Sequence, residues 1–409
     1  MKNSKLLKLL ALLTALGLIA AACGSDDAET DSDGSETTGS TDDTTSDGGD
    51  EDEKSDDDTD GSDLEEAAMV DLAEYCPNPL VLQTDWFPEA EHGAVYEMIG
   101  EGYTVDADNM IVRGPLVSEG VEMGIDWEVR AGGPSIGFSP VAAHVYSSDE
   151  IHLGYANTEA QALQFDDAPM ISVVAPLEKN PQMIMWDPET YPEVETIADL
   201  GEENVIVKVF GGGEFAGVFT AQGIWNEDQI DPTYDGSPAN FIASGGTIAQ
   251  QGFASAEPYL YENEFTDWAK PVAYQLLHDA GFEVYAATIG VRGDQAEELS
   301  DCLTHLVPII QMAVVSYDAS PDRANAIIVD AVEQFDSFWQ YDMDLANFSV
   351  ETQRELGLIG NGDDDTVGNM DAARIQGVID SIADAGVDLA DITAEDIFTN
   401  EYIDPSIGF

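Results

Sequence analysis

Aromatic and hydrogen-bonding residues lie close together directly after the first predicted strand. Residues 80–84 have the apolar pattern of a buried strand, and Trp86, Glu89, His92 and Tyr96 follow as a helical pattern begins. A loop between a strand and a helix lies outside the carboxyl end of the strand, where open α/β sheets bind ligands. Flat rings and an imidazole there can stack on a ligand and direct its hydrogen bonds. The alternative is that the rings fill the edge of a hydrophobic core.

Two carboxylates, Glu159 and Glu257, each follow a later predicted strand. A pair of carboxylates can catalyse hydrolysis. The interpretation preferred here is that they accept hydrogen bonds from the amino and ring N–H groups of a ligand, together with Asn157, while Phe215 or Tyr259 stacks on its face. In so acidic a chain, either carboxylate could also be an ordinary solvated loop residue.

Glycine-rich loops follow two further predicted strands. Gly212 and Gly213 belong to a Gly-Gly-Gly-Glu sequence at the start of a predicted helix, where backbone N–H groups can contact a ligand. The sequence lacks the Gly-Lys-Ser/Thr ending of a nucleotide-binding loop. Gly133 and Ser135 belong to a similar turn. Nucleophile elbows, zincin motifs and dinucleotide fingerprints are missing from the sequence, so we expect neither an enzyme nor a cofactor. Five His and no Cys-x-x-Cys predict no metal site.

The first 66 residues are expected to lie outside the fold. Residues 1–22 combine three early Lys, an apolar run and three Ala, as a secretory signal peptide does. The small residues before Cys23 resemble a bacterial lipobox, which implies a lipid-modified Cys23. Residues 23–66 include 20 acids and a single Lys, and we interpret them as a disordered tether. The protein is therefore expected outside the cytoplasm, anchored by lipid to the cell membrane.

Charge and cysteine content restrict the possible partners. Of the net charge of −69, the signal peptide contributes +3 and the tether −19, which leaves −53 for residues 67–409. Such a surface repels nucleic acid and anionic lipid, so neither is expected to bind, and it fits a saline habitat. The remaining cysteines, Cys76 and Cys302, are expected to form a disulfide because the protein is exported.

Strands alternate with helical runs through most of the remaining chain, which predicts an α/β fold. We expect residues 67–178 to form the first part of one lobe, residues 179–284 a second lobe, and the mainly helical residues 285–409 to complete the first lobe. The extended runs at residues 170–177 and 282–291 would be the two crossings between the lobes. A cleft between two hinged lobes is a common site for small ligands.

The chain resembles a known family in these loops. Trp86-Phe87-Pro88 followed by His92 and Tyr96 is similar to the W-x-P-N-x-x-H-x-G-x-Y signature of thiamine-pyrimidine-precursor substrate-binding proteins, relatives of the nitrate, sulfonate and taurine binders. The resemblance implies a periplasmic-binding-protein-like type 2 fold, with mixed, mostly parallel sheets, flanking helices and two interlobe crossings. It also implies a monomeric, non-enzymatic protein that delivers a small molecule to the permease and ATPase of an ABC importer.

Two departures from the signature leave the ligand open. Glu89 stands where the family has Asn, and Gly93 directly follows His92 instead of lying one residue later. A riboflavin-like ligand and a sulfonate or nitrate are the alternatives to a pyrimidine. Fungal relatives are pyrimidine-forming enzymes with a Cys-rich motif that this chain lacks. The predicted ligand-binding residues are Trp86, Glu89, His92, Tyr96, Gly133, Ser135, Asn157, Glu159, Gly212, Gly213, Phe215, Glu257 and Tyr259.

Overall fold

Two β-sheets form the centres of two lobes in the computed structural model of the protein, which describes residues 70–362 and 364–409. The strands of the first sheet are β1 (Leu80–Gln83), β2 (Thr104–Asp106), β3 (Ile111–Ser118), β4 (Val121–Arg130), β5 (Leu153–Ala156), β6 (Met170–Val174) and β12 (Thr288–Arg292). The strands of the second sheet are β7 (Gln182–Trp186), β8 (Ile206–Lys208), β9 (Ile230–Asp231), β10 (Ile248–Phe253) and β11 (Ala273–Leu276). Their orders are β2-β3-β4-β1-β5-β12-β6 and β11-β7-β10-β8-β9.

Helices flank both sheets. They are α1 (Gly93–Glu97), α2 (Val141–Ser147), α3 (Thr158–Gln164), α4 (Ile197–Glu202), α5 (Phe215–Ala221), α6 (Ala239–Ser244), α7 (Glu257–Tyr259), α8 (Ala296–Ala319), α9 (Asp322–Phe335), α10 (Met343–Glu355) and α11 (Ala372–Asp384). The chain leaves the first sheet between β6 and β7 and returns between β11 and β12. The predicted α/β class with two lobes, flanking helices and two crossings is therefore confirmed. The predicted signal peptide, Cys23 and the tether lie outside the described residues.

The sheets are less parallel than the sequence predicts. Of the ten strand pairings in the described part of the chain, four are parallel and six antiparallel. One reason is that β12 enters the first sheet from the other lobe and runs antiparallel to both β5 and β6. A second reason is the antiparallel hairpin of β3 and β4. Its turn residues Glu119 and Gly120 have φ values of 49° and 79°, as in the two-residue turns that suit the twist of a hairpin.

The first lobe has the larger core, built around α8. Apolar side chains of α8, including Leu303 and Ile310, pack with β1 residues such as Leu80 in one buried cluster. By length and composition α8 could span a membrane, but more than half of that stretch is buried in the protein, as in a core helix. Cys76 and Cys302 form the predicted disulfide, with their Cα atoms 4.8 Å apart, and join the segment before β1 to α8.

Helix α11 contacts both lobes, although the sequence predicts that the C-terminal helices pack on the first lobe. Val378 and Ile382 belong to the core of the second lobe, next to α5. Ile375 and Ile379 lie in a separate cluster near α3. Because its apolar residues occupy two faces, α11 bridges the lobes near the crossings.

Candidate functional site

A cavity of about 280 Å³ lies where the two lobes and both crossing segments meet. From the first lobe it is lined by the loop after β1, and from the second lobe by residues around β10 and α7, including Gln251 and Glu257. Leu177 and Ala287 line it from the two crossing segments. Trp339, which precedes α10, closes a further side. The interlobe cleft predicted from the two-lobe pattern is thus a formed cavity.

The loop after β1 is fixed by hydrogen bonds from three directions. The carbonyl oxygen of Trp86 accepts from the Thr84 hydroxyl at 2.7 Å and from the Gly132 N–H at 2.9 Å. The N–H of Ala90 donates to the hydroxyl of Tyr341 at 2.9 Å. The loop then forms a 3-10 turn, Ala90–His92, that leads into α1. The backbone of the loop is therefore held in place before any ligand arrives.

Four carboxylates line the cavity, and three of them, Asp85, Glu89 and Glu91, come from this single loop. Asp85 Oδ1 lies 2.8 Å from His92 Nε2, and the His92 ring, 2% exposed, is buried. Nδ1 of His92 has no hydrogen-bond partner in the described residues. The fourth carboxylate, Glu257, comes from the second lobe. Acidic groups from both lobes therefore converge on one small volume.

Burial and mutual repulsion raise the pKa of three of the four, Glu89, Glu91 and Glu257. Desolvation raises the pKa of Glu89 well above its usual value, and the nearby Glu91, Asp85 and Glu257 raise it further. Desolvation also raises the pKa of Glu91, against the opposing hydrogen bond from the Ser255 hydroxyl. It raises the pKa of Glu257 to about 7, although the carboxylate accepts the Phe253 N–H at 2.7 Å. None of the described residues that line the cavity is Lys or Arg.

Aromatic rings supply most of the remaining walls. The rings of Trp86 and Trp339 are 6.0 Å apart at an interplanar angle of 87°, and Phe138 lies 6.1 Å from Trp86. On the side of the second lobe, Phe210 and Tyr234 are 4.6 Å apart. The inner cavity can therefore present ring faces to a flat ligand from more than one direction.

An outer pocket of about 460 Å³ adjoins the cavity of about 280 Å³, which is the inner cavity, and shares Trp86, Tyr234 and Trp339 with it. Phe138 lines both, and Phe338 lines the outer pocket; they are 61% and 65% exposed. Exposed aromatic side chains at the mouth of a pocket are a feature of binding sites. The two pockets together leave room for a ligand larger than a single ring.

The structure brings together four of the predicted ligand-binding residues in the cavity: Trp86, Glu89, His92 and Glu257. Three predicted aromatic residues lie elsewhere. Tyr96 and Phe215 are 0% and 1% exposed and belong to the cores of the first and second lobes. Tyr259 packs against Phe348 of α10 at 5.4 Å between ring centroids.

Three predicted ligand-binding residues of the first lobe, Gly133, Ser135 and Asn157, lie near the cavity without lining it. Gly133 has φ +57°, and a Cβ atom there would lie 2.5 Å from the Trp86 ring, so the glycine makes room for this indole. The Ser135 hydroxyl donates to the carbonyl oxygen of Gly132 at 2.8 Å. Asn157 Oδ1 accepts the Ala160 N–H at 2.6 Å and caps α3.

Glu159 connects the two lobes directly. Its Oε1 accepts the backbone N–H of Glu214, at the start of α5, at 2.5 Å, and desolvation raises its pKa to about 7. Gly212 is exposed and Gly213 lies against the Phe215 ring, and neither lines the cavity. The loop that contains Gly212 and Gly213 therefore lies beside Glu159, where the two lobes contact each other.

Sequence reasoning missed several residues of the cavity. These are Asp85, Glu91, Phe138, Phe210, Tyr234, Gln251 and Trp339. Asp85 and Glu91 belong to the predicted loop and could have been included on position alone. Trp339 was not identified because residues 285–409 are predicted to be mainly helical, whereas α9 ends at Phe335 and Asp336 adopts φ +47°. Among the described residues, no group of three His, Cys, Asp or Glu is placed to hold a metal ion.

No family model and no curated protein matches this chain. Solved structures do match. A protein from Bordetella bronchiseptica RB50 is 12% identical, with a TM-score of 0.49 over 79% of this chain and 95% of that one. A Candida albicans protein, described as defining a family with the generic periplasmic binding protein fold, is 10% identical, with a TM-score of 0.46 over 80% and 98%. The periplasmic nitrate-binding protein NrtA from Synechocystis PCC 6803 is 10% identical, with a TM-score of 0.48 over 79% and 86%. At these identities and TM-scores, none of them indicates a ligand for this chain.

Proposed function

We propose that this protein is the solute-binding component of an ABC importer and captures a small nitrogen heterocycle, similar to the pyrimidine precursor of thiamine, between its lobes. The observation that carries the proposal is the interlobe cavity itself. It combines the ring faces of Trp86 and Trp339 with the carboxylates of Glu89 and Glu257. Ring faces suit a flat heterocycle, and carboxylates accept hydrogen bonds from its amino and ring N–H groups.

A riboflavin-like ligand is the second candidate. The outer pocket continues from the inner cavity across Trp86 and Trp339, and its volume of about 460 Å³ could hold a second and third fused ring. A sulfonate or nitrate is disfavoured, because an anion would meet four carboxylates and no basic side chain from the described lining.

Cellular placement follows from the N-terminal sequence. Cys23 would carry the lipid anchor, and residues 23–66 would link the anchor to the lobes outside the cytoplasm. The partners would then be a membrane permease and its ATPase, to which a monomeric binding protein delivers its ligand.

A thermal-shift screen of the full chain with aminopyrimidines, riboflavin, taurine and nitrate tests the ligand class. A ligand at about 100 times its dissociation constant stabilises the folded state by about 2.7 kcal/mol, which a melting curve resolves. Trp86→Ala should lower the affinity for the ligand found by about tenfold or more, because a stacking face is lost. Tyr75→Ala, an exposed ring outside the cavity, is the control and should leave affinity unchanged.

A rise in melting temperature with taurine or nitrate, and with none of the heterocycles, would contradict the proposal. Chemical conversion of a bound heterocycle, followed by mass spectrometry, would indicate a pyrimidine-forming or hydrolytic enzyme instead.

A further inference from the structure

Two of the three buried carboxylates elsewhere in the described chain have basic partners, and the third, Glu159, has a backbone N–H as its partner. Glu128, 6% exposed, has Oε1 2.7 Å from Arg130 Nε, and Asp187, 1% exposed, has Oδ2 3.0 Å from Lys270 Nζ. A carboxylate taken out of water is costly unless a positive charge or several hydrogen bonds compensate it. These two ion pairs show how the chain compensates a buried acid whose role is structural.

The carboxylates of the cavity lack this compensation. In the part of the chain that the structure describes, Glu89, Glu91 and Glu257 form no ion pair with Lys or Arg. Asp85 lies beside His92, so a protonated His92 would balance one carboxylate of the four. The overall acidity of the chain does not explain this arrangement, because surface carboxylates stay in water whereas Glu91 is buried and Glu89 and Glu257 are half-buried. A positive charge from outside the chain would allow Glu89, Glu91 and Glu257 to ionise, whereas without it burial favours their neutral forms.

We propose that the ligand is a cation: a nitrogen heterocycle with a positive charge, held between the carboxylates of Glu89 and Glu257 and the ring faces of Trp86 and Trp339. This inference rests on the proposed function and specifies its ligand. The two indoles, nearly perpendicular and 6.0 Å apart, form adjoining walls. A cation is attracted to the face of an indole most strongly where water is excluded, and the carboxylates supply the opposite charge.

Protons compete with such a ligand for the same carboxylates. The groups around Glu89 and Glu257 that titrate are Asp85, Glu91, His92 and Tyr96 on the loop and α1, Tyr155 on β5, Tyr234 and Tyr261 in the second lobe, and Tyr341 before α10. Since Glu257 has a pKa of about 7, raising the pH through this value increases the negative charge of the cavity. Affinity for a permanent cation should therefore rise with pH. A neutral ligand that accepts a hydrogen bond from a protonated carboxyl would bind more weakly as the pH rises.

Probes that match in size and differ in charge distinguish a cationic ligand from a neutral one. N-methylquinolinium is a permanent cation, and quinaldine has the same number of heavy atoms on the same ring system but is neutral above about pH 7. N-methylacridinium and acridine form a second pair for the larger combined pocket. Binding of each permanent cation to the full chain is measured by calorimetry at about pH 6 and about pH 8, and each neutral partner is compared with its cation at about pH 8 only. Ca²⁺ alone is a further probe. We expect each cation to bind about tenfold or more tightly than its neutral partner, and more tightly at the higher pH.

Charge-neutralising variants locate the effect. Glu89→Gln and Glu257→Gln keep the side-chain size and should each weaken cation binding by about tenfold while leaving the neutral probes unaffected. Glu262→Gln removes the same charge from an exposed position near α7 and should change nothing. Melting temperatures of the unliganded variants check that each one folds.

Each remaining outcome counts against the inference. If neutral probes, or the aminopyrimidines and riboflavin, bind as tightly as the cations, the cationic ligand class is wrong and the proposed function stands. If Ca²⁺ binds and the organic cations do not, the cavity is a metal site and both ideas fail. If no cation and no neutral heterocycle binds, the proposed function fails together with the inference.

Discussion

Glu159 shows that a carboxylate placed after a strand can bind either a ligand or the backbone of the other lobe. It follows β5 and was predicted to accept hydrogen bonds from a ligand. Instead its carboxylate, 8% exposed, accepts the Glu214 N–H of the other lobe. The closure of the two lobes places these residues together, and closure depends on chain segments far apart in sequence. Local sequence therefore indicates that Glu159 lies near the cleft but not which partner it meets.

Glu159→Gln should make stability less dependent on pH. Below about pH 4.5 the carboxyl is protonated in both states and contributes nothing. Between about 4.5 and about 7 the unfolded chain releases the proton while the folded protein keeps it, so the wild type loses stability as the pH rises. Gln does not titrate and its oxygen can still accept the Glu214 N–H. We expect the variant to gain about 3 kcal/mol over the wild type between about pH 4 and pH 8, measured by urea unfolding.

Glu101→Gln, at an exposed position, is the control and should unfold like the wild type at every pH. A constant difference between Glu159→Gln and the wild type across this range would mean that Glu159 ionises normally in the folded protein.

Residue type and loop position predicted part of the cavity lining. Two further predicted aromatic residues lie on helices and are buried in the cores of the lobes. Trp86, Glu89 and His92 were found because they follow β1 directly. Tyr96 lies one helical turn beyond His92, yet its ring is 0% exposed and belongs to the core of the first lobe together with residues of α8 and α9. Phe215 is likewise on the buried face of α5. A sequence alone does not reveal where a cavity wall ends and a core begins.

At the scale of elements, the sequence located most strands that carry the cavity but missed what supports them. The predicted strand at residues 80–84 corresponds to β1, and helices α8 to α11 lie in the residues 285–409 predicted to be mainly helical. The hairpin of β3 and β4 was not predicted, and the prediction that residues 285–409 are mainly helical did not separate α9 from α10. The segment before α10 matters most, because Trp339 Nε1 donates to the Pro88 carbonyl at 3.2 Å and so supports the loop after β1. This contact spans about 250 residues of sequence, beyond any local pattern.

Tyr341→Phe should loosen the loop after β1 without altering the cavity wall. The Tyr341 hydroxyl accepts the N–H of Ala90, which is 1% exposed, and donates to the Ser349 hydroxyl at 3.1 Å. Removing it leaves a buried N–H unsatisfied, at a cost of about 1–3 kcal/mol in the free energy of unfolding. Because Ala90 lies between Glu89 and Glu91, ligand affinity should also fall. Tyr402→Phe removes a hydroxyl bonded to Ser300 away from the cavity and should leave affinity unchanged. Equal affinities in both variants would show that the loop does not need this support.

The whole molecule uses its few basic residues almost entirely for structure. Residues 67–409 contain nine Lys and Arg, and eight of them form ion pairs with carboxylates of the described chain. The eight are Arg113, Arg130, Lys208, Lys270, Arg292, Arg323, Arg354 and Arg374. None of the eight lines the inner cavity. The net charge of −53 over this part of the chain is therefore balanced by ions of the solvent or by a ligand.

Salt should consequently stabilise the folded protein. Like charges repel across the compact surface more than in the expanded unfolded chain, and raising the salt concentration from about 0.1 M to about 1 M shortens the screening length from about 10 Å to about 3 Å. We expect the melting temperature to rise by several degrees, since about 1 kcal/mol corresponds to about 1–2 °C in a protein of this length. Sodium chloride and sodium sulfate compared at equal ionic strength separate screening from preferential exclusion, because screening depends on ionic strength whereas sulfate is also excluded from protein surfaces. A melting temperature that stays constant in chloride and rises only in sulfate would show that self-repulsion does not limit stability, and the acidic surface would then need an explanation other than adaptation to salt.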